Sequence, residues 1–353
     1  MKSYNHLWER FISDDNIEIA INNALKGKRK RTSVQRYIEN PNFQSIVKQY
    51  AEHFKNARHR PKEIYDGIQR KKRTIIVPNF KEQVIHHMAV NVLKPIFQKS
   101  MYYHSYGSLP DKGGHRGAKA VKRWIKKDIE NCKYCLKMDI KKYFENIPHE
   151  ILKQKLADII HDKRFLDILY EIIDVSDCGI PLGFYTSQWF ANWYLTELDH
   201  YIKENLGAKY YIRYMDDMVI FGNDKSVLHF MRELIEYYLK YRLGLELKDN
   251  WAIFPIEKRP LDFMGFRFHT NKTTLRKTIM MKASRKAKRL WKKDKPTIYD
   301  IRQMLSYNGW LLATDTYGFY LEHIKPYVDI GKLKDRISRY DRRMNNELVQ
   351  NAI

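Results

Sequence analysis

Two short apolar, β-prone runs, Tyr210-Tyr211-Ile212-Arg213 and Met218-Val219-Ile220-Phe221-Gly222, flank the polar stretch Tyr214-Met215-Asp216-Asp217. The pattern predicts a hairpin with two carboxylates at its tip. Upstream, Tyr134-Cys135-Leu136-Lys137-Met138-Asp139-Ile140 reads as a core strand closing on another acid, followed by Tyr143-Phe144 and by Pro148, which suits the first turn of a helix. Arg73-Thr74-Ile75-Ile76-Val77-Pro78 reads as a strand ended by proline, with a helix from about Lys81 to Gln98 behind it. Phe190, Tyr194, Leu198 and Ile202 recur at four-residue spacing, which predicts a helix with one core stripe, capped by Thr186-Ser187. The N-terminal part reads as helical and basic, with Lys26-Gly27-Lys28-Arg29-Lys30-Arg31 as a charge run that either touches phosphates or is solvated. Ser105 to Gly117 reads as a glycine-rich loop feeding a helix from about Ala118 to Lys127.

Composition narrows the partners. The 353 residues carry a formal net charge of +24 and 25 tyrosines, with a sequence pI near 9.7. Lysine and arginine displace the counterions of nucleic acid and aromatic rings offer stacking surfaces, so a polyanionic partner is expected. A basic protein without a specific ligand is the plainer alternative. The chain is long enough for a sizeable core. No apolar run of membrane-spanning length is present and Met1 to His6 lacks a secretory core, so a cytoplasmic chain with no membrane partner is expected. Cys132-Lys133-Tyr134-Cys135 has zinc-like spacing, but with only isolated Cys178 and scattered histidines to complete a set, packed thiols are the better reading. His86-His87 reads as a helix-surface feature.

An acidic pair at a hairpin tip is electrostatically costly unless a cation compensates it. Asp216, Asp217 and Asp139, on two strand ends, suit two-metal phosphoryl transfer, in which one ion activates a 3′-hydroxyl and the other stabilises leaving pyrophosphate. Two Mg2+ ions are expected, with Mn2+ as a substitute. In the glycine-rich loop, backbone amides can cradle phosphate and Arg116 can reach a triphosphate.

At this point the chain resembles the reverse transcriptases. The Asp139 segment is similar to their motif A, Gly179-Ile180-Pro181-Leu182-Gly183-Phe184-Tyr185-Thr186-Ser187-Gln188 to motif B, and Tyr214 to Asp217 to the Tyr-x-Asp-Asp motif C. The resemblance implies an α+β right-hand polymerase: fingers and palm, with an antiparallel sheet, interleaved over 1–268, and a mostly helical thumb over 269–353. It implies catalysis by Asp139, Asp216 and Asp217, with metal held by Asp139, Asp216 and the Ile140 carbonyl. Nucleotide contacts fall to Arg73, Arg116, Phe144, Leu182, Gly183 and Gln188. Glu82-Gln83 stands where such families often carry Asp-Arg, which leaves Arg73 and Arg116 as the triphosphate candidates. Gly183 would permit close approach to the base pair or template strand. Phe144 would place an aromatic ring beneath the incoming sugar, against a 2′-hydroxyl.

Beyond the core, Leu243 to Lys248 resembles motif D, with Lys248 as a candidate general acid. Leu261 to Phe268 resembles a primer-grip hairpin, and Lys282 to Arg289 would lay Arg285, Lys288 and Arg289 on the duplex backbone. Ser306 to Trp310 and the aromatic stretch to Tyr320 read as thumb packing. The implied partners are template RNA, a primer or its complementary DNA, deoxynucleotides and a small accessory protein. Too few residues follow the thumb for a second catalytic domain. Leu182-Gly183-x-x-x-Ser187-Gln188 is similar to diversity-generating retroelement enzymes and to defence-associated bacterial reverse transcriptases, so a diversity-generating role and a phage-defence role both stand. A catalytically silent nucleic-acid-binding scaffold and an RNA-dependent RNA polymerase are the rival classes.

Overall fold

The computed structural model describes residues 3–66 and 71–350. The chain opens with helices α1 (Leu7–Phe11), α2 (Asp14–Leu25), α3 (Thr32–Ile38) and α4 (Phe43–Glu52). Ser13 starts α2 by accepting a hydrogen bond from the Asn16 N–H, and Ile17, Ala20 and Ala24 of that helix are fully buried. Strands β1 (Lys62–Asp66) and β2 (Lys71–Ile75) pair antiparallel. β2 stops at Ile75 and not at Pro78, because the next amide, Ile76 N–H, donates to the Leu182 carbonyl at 2.8 Å. α5 (Phe80–Ser100) follows from a capping box in which Asn79 and Glu82 satisfy each other's backbone amides.

Next come α6 (Gly114–Lys127), β3 (Tyr134–Asp139), α7 (Tyr143–Asn146), α8 (His149–Ala157), α9 (Lys163–Ile173), α10 (Tyr185–Tyr194) and α11 (Thr196–His200). The hairpin β4 (Tyr210–Tyr214) and β5 (Asp217–Gly222) leads into α12 (Lys225–Leu243) and β6 (Ala252–Pro255). The chain continues through β7 (Leu261–Phe263), β8 (Phe266–Phe268), β9 (Thr273–Leu275), α13 (Lys277–Trp291), α14 (Ile298–Leu312), α15 (Tyr317–His323) and α16 (Ile330–Gln350). One sheet has the order β4-β5-β3-β6 and a second the order β7-β8-β9. The architecture is α+β.

Two compact units are present: the chain up to Gly113 together with Leu136–Ile253, and Gly114–Cys135 together with the chain from Phe254 onward. The expected boundary at 268/269 differs from this division, and residues 351–353 of the expected C-terminal domain lie outside the described residues. The reason is α6. Its His115 ring lies 5.5 Å from Phe266 and 4.7 Å from Trp310, and Phe266 stacks on Trp310 at 4.9 Å, so α6, β8 and α14 share one core.

In the first unit, Phe190, Tyr194, Leu198 and Ile202 form the expected stripe and are all buried, each worth about 1.5–3 kcal/mol relative to exposure. Beside them, Trp193 stacks on Phe97 of α5 at 4.5 Å and 7°. The Trp193–Phe97 stack sets α10 against α5.

Candidate active site

β3 delivers Asp139 at its C-terminal end, and the next residue, Ile140, is fully buried. The β4–β5 register pairs Tyr214 with Asp217, which leaves Met215 and Asp216 as a two-residue loop. Met215 has φ +56, a left-handed value that costs a non-glycine residue about 1 kcal/mol or more. Ile140 N–H donates to the Asp216 carbonyl at 3.2 Å, and this bond brings the hairpin tip to the end of β3. Burial, then the Asp139 carboxylate, pushes the Asp216 carboxyl up to about 6. Burial also pushes Asp217 up to about 7, opposed by Lys137 and reinforced by Asp139 and Asp216. The three predicted acids therefore meet.

Two lysines face them. Lys248 Nζ pairs with Asp139 Oδ1, and Lys137 Nζ lies 3.5 Å from Asp217 Oδ2. Asp217 Oδ1 is buried without a hydrogen-bond partner. Desolvated, mutually repelling carboxylates with an unsatisfied oxygen fit a divalent cation. Among the described residues no three His, Cys, Asp or Glu side chains are grouped to hold an ion by themselves.

The Gly179–Gln188 segment builds a second wall. Gly179 has φ +68, and a Cβ there would lie 2.4 Å from the carbonyl oxygens of Phe144 and Glu145; Ile180 N–H donates to the Phe144 carbonyl at 2.7 Å. Half-buried Phe144 is thereby tied to this segment, its ring 5.7 Å from Tyr143. Gly183 has φ +110, and a Cβ there would lie 2.2 Å from the Ile76 carbonyl oxygen, so the close approach this glycine serves is to the chain's own backbone. Leu182 is half-buried, and Gln188 sits in α10 with its carbonyl accepting from Asn192 Nδ2 at 2.9 Å.

Several expectations need correction. Thr186 and Ser187 do not cap α10: Phe184 is the N-cap, and both hydroxyl residues are buried inside the helix. Thr186 Oγ1 instead meets His86 Nδ1 at 2.9 Å, so His86 is a core residue and not a surface one. Burial lowers the His86 pKa to about 3, which keeps the ring neutral. Arg116 belongs to the first turn of α6 and not to a loop, because the helix begins four residues before Ala118. Arg116, Arg285, Lys288 and Arg289 are exposed residues of the second unit, and Arg73 is an exposed residue of β2 in the first.

Sequence reasoning missed the residues beneath the hairpin. Arg213 is fully buried and forks onto Asp199 of α11, with Nε to Oδ1 at 2.7 Å and Nη2 to Oδ2 at 2.6 Å. Its Nη1 donates to the Met215 carbonyl at 3.1 Å. Asn192, also buried, donates to the Gly107 carbonyl at 2.8 Å and lies 3.1 Å from Met215 Sδ. Gly107 packs so closely that a Cβ there would lie 2.5 Å from Met215 Cγ. The available signal was a charge in the otherwise apolar Tyr211-Ile212-Arg213 run.

The family described as reverse transcriptase (RNA-dependent DNA polymerase) matches residues 60–268. The retron Ec73 reverse transcriptase of Escherichia coli is 27% identical over 52% of this chain and 60% of its own length. The group II intron-encoded protein LtrA of Lactococcus lactis is 20% identical over 56% of this chain and 44% of its own. A putative COX1/OXI3 intron 2 protein of Saccharomyces cerevisiae is 22% identical over 55% of this chain and 30% of its own, so the chain spans about a third to three fifths of these relatives. Among solved structures, a Candida tropicalis telomerase with a telomeric RNA fragment superposes with a TM-score of 0.52 at 13% identity, covering 84% of this chain and 55% of that one. That likeness shows a shared right-hand polymerase fold. With more than half of its residues matched by the family and its three motif acids brought together where the β4–β5 hairpin tip meets the end of β3, the chain belongs to the reverse transcriptases.

Proposed function

We propose that this chain is an RNA-directed DNA polymerase whose catalytic carboxylates are Asp139, Asp216 and Asp217. The observation that carries the reading is the convergence of Asp139 and Asp216 at a buried turn, where burial first and the Asp139 carboxylate second raise the Asp216 pKa and a cation would relieve both. Reverse transcriptases use divalent metal ions, and here we assign two Mg2+ to Asp139, Asp216 and the Ile140 carbonyl. When bound, the ions activate the primer 3′-hydroxyl and stabilise charge on the departing pyrophosphate. Asp217, next along the turn, supports the pair. Lys248, already paired with Asp139, is the candidate proton donor to pyrophosphate. Arg73 is assigned to the triphosphate, and Leu182 and Gln188 to the nascent pair.

The substrates are accordingly template RNA, a primer and deoxynucleotides, with 1–268 acting as fingers and palm and 269–353 as thumb. Arg285, Lys288 and Arg289, exposed along α13, are assigned to the duplex backbone. A diversity-generating retroelement, with a small accessory protein, is the biological setting we favour, supported by apolar Leu182 ahead of Gly183. Sequencing the complementary DNA tests it: elevated errors opposite adenine are expected, and ordinary fidelity would reject the setting.

The decisive experiment is primer extension on an RNA template. Asp139→Asn and Asp216→Asn should each lower extension by roughly three orders of magnitude or more while primer-template affinity holds. Near-normal synthesis by either variant would remove the assignment. In the same assay, Phe144→Val should improve the relative use of ribonucleotides about ten- to a hundredfold, and an unchanged ratio would leave Phe144 as packing.

A further inference from the structure

The hairpin tip is clamped on both sides of Asp216. On one side the Asp216 carbonyl accepts from Ile140 N–H, and on the other the Met215 carbonyl accepts from Arg213 Nη1 at 3.1 Å. Fixing two successive peptide planes fixes where the side chain between them starts. The Arg213 guanidinium is itself immobile: Asp199 grips it at two points, the Asn192 carbonyl accepts from Nη2 at 3.0 Å, and Tyr211 Oη donates to Asp199 Oδ1 at 2.7 Å. Burial alone would lower the pKa of this arginine, but the Asp199 carboxylate outweighs burial and the net direction is upward, so the guanidinium stays charged.

Stability alone does not account for such a pair. Taking two charges out of water is costly, and apolar residues of similar volume often replace buried ion pairs without loss of stability. What apolar residues cannot do is donate to the Met215 carbonyl. A planar fork meets this need, since one face holds Asp199 while another N–H reaches the turn. A lysine has the charge without the fork.

We infer that Arg213, held by Asp199, is a positioning residue that sets the Asp216 carboxylate against Asp139 for metal-dependent nucleotidyl transfer. The inference rests on the proposed metal role of those carboxylates. Arg213 and Asp199 are both fully buried, beneath the turn and away from solvent. Their effect reaches the chemistry through a single peptide plane, so it should appear in turnover and metal dependence and leave template binding alone.

The test compares wild type, Arg213→Lys and the double variant Arg213→Met/Asp199→Leu. The readouts are thermal unfolding, primer-template affinity, kcat and KM for a single deoxynucleotide addition, and the Mg2+ concentration for half-maximal rate. Mn2+ binding to the free protein, followed by electron paramagnetic resonance, supplies a readout that needs no turnover. The double variant should fold with a midpoint near wild type and bind primer-template normally. Its kcat should fall about a hundredfold and its half-saturating Mg2+ rise about tenfold, with Mn2+ binding weakened in parallel. Arg213→Lys should lose about tenfold in kcat. Wild-type kcat and Mg2+ dependence in the folded double variant, or full activity in Arg213→Lys, would overturn the inference. Failure of both variants to fold would also overturn it, by assigning the pair to the core. Should Asp139→Asn and Asp216→Asn keep near-normal synthesis, the metal assignment fails first, whatever the Arg213 variants do.

Discussion

Two hairpins in this chain turn through the same number of residues and begin on the same amino acid. The β4–β5 hairpin loops through Met215-Asp216 and the β7–β8 hairpin through Met264-Gly265. Both methionines are left-handed, with φ +56 and +52, but the second turn residues differ. Gly265 takes φ +87, the relaxed pairing of two positive angles that short hairpins favour, whereas Asp216 is not among the residues with positive φ. A two-residue turn with a positive angle at its first position alone normally has glycine there. The acidic hairpin thus places its strain on Met215 and holds it with Arg213, Asn192 and the bare face of Gly107. The other hairpin carries a left-handed methionine as well, but follows it with glycine, and is fastened from outside, by Arg276 Nε on Asp262 at 2.8 Å. Where carboxylates converge, the second turn position is an acid and the left-handed residue before it is held by internal contacts; a turn with only packing to do takes the glycine that eases its second angle.

The largest effect expected on this contrast comes from adding a methyl group behind the acidic turn and within the other. Gly107→Ala puts a Cβ 2.7 Å from the Met215 amide nitrogen, and backbone cannot yield as a side chain can. Turnover should fall about a hundredfold, as displaced reacting groups imply. Gly265→Ala meets Ile279 Cδ1 at 2.8 Å and forces alanine into φ +87, so it should destabilise by about 1–3 kcal/mol while leaving the half-saturating Mg2+ unchanged. Equal shifts in metal dependence from both variants would erase the contrast.

A pH series sharpens it further. Asp216 and Asp217 sit at about 6 and about 7 in the folded chain, against about 4 in unfolded chain, so the folded state binds more protons between these values. Their contribution to stability is full below about pH 4 and is lost as pH rises through about 6 to 7. On the proposed assignment Mg2+ would bind the ionised acids, and it should then restore stability over that window. Urea unfolding at about pH 5 and pH 8, with and without Mg2+, measures both effects, and Asp216→Asn should flatten the metal-free difference. An equal pH dependence in Asp216→Asn would detach it from the acidic hairpin.

The smallest effect belongs to the second unit, where β9 is followed by the basic helix α13. Neutralising Arg285, Lys288 and Arg289 together should flatten the log–log salt dependence of primer-template binding by about 0.7 to 0.9 per lost phosphate contact. No change in slope would return that face to solvent.

Much of this was legible in the sequence for an identifiable reason. Strand alternation and turn chemistry are local, so β3, the β4–β5 hairpin and the three acids could be read directly. Where tertiary packing overrides local rules, reading failed. The Gly113-Gly114-His115-Arg116-Gly117 cluster has the composition of a loop, but His115 against Phe266 and Trp310 continues α6 through its last four residues. His86 carries the polarity of a surface residue and is nonetheless buried, its Nδ1 against Thr186 on another helix and its Nε2 without a hydrogen-bond partner. Arg213 and Asp199 are fourteen positions apart, and no periodicity announces that two opposite charges will be buried on each other.

Lys248 on Asp139 and Lys137 beside Asp217 carry a consequence for the order of events in the life of the chain. Proteins whose clustered acids lack internal cations often wait for a metal before they fold, and chelators then denature them. Here each outer acid already has a lysine for company while the polypeptide is metal-free. If the proposed metal assignment holds, folding would precede metallation, and the ions would arrive with the nucleotide that brings the remaining ligands. A chelator should leave a folded, idle enzyme that restarts on adding Mg2+, and loss of the cooperative unfolding transition on chelation would show that the lysines do not fill this role.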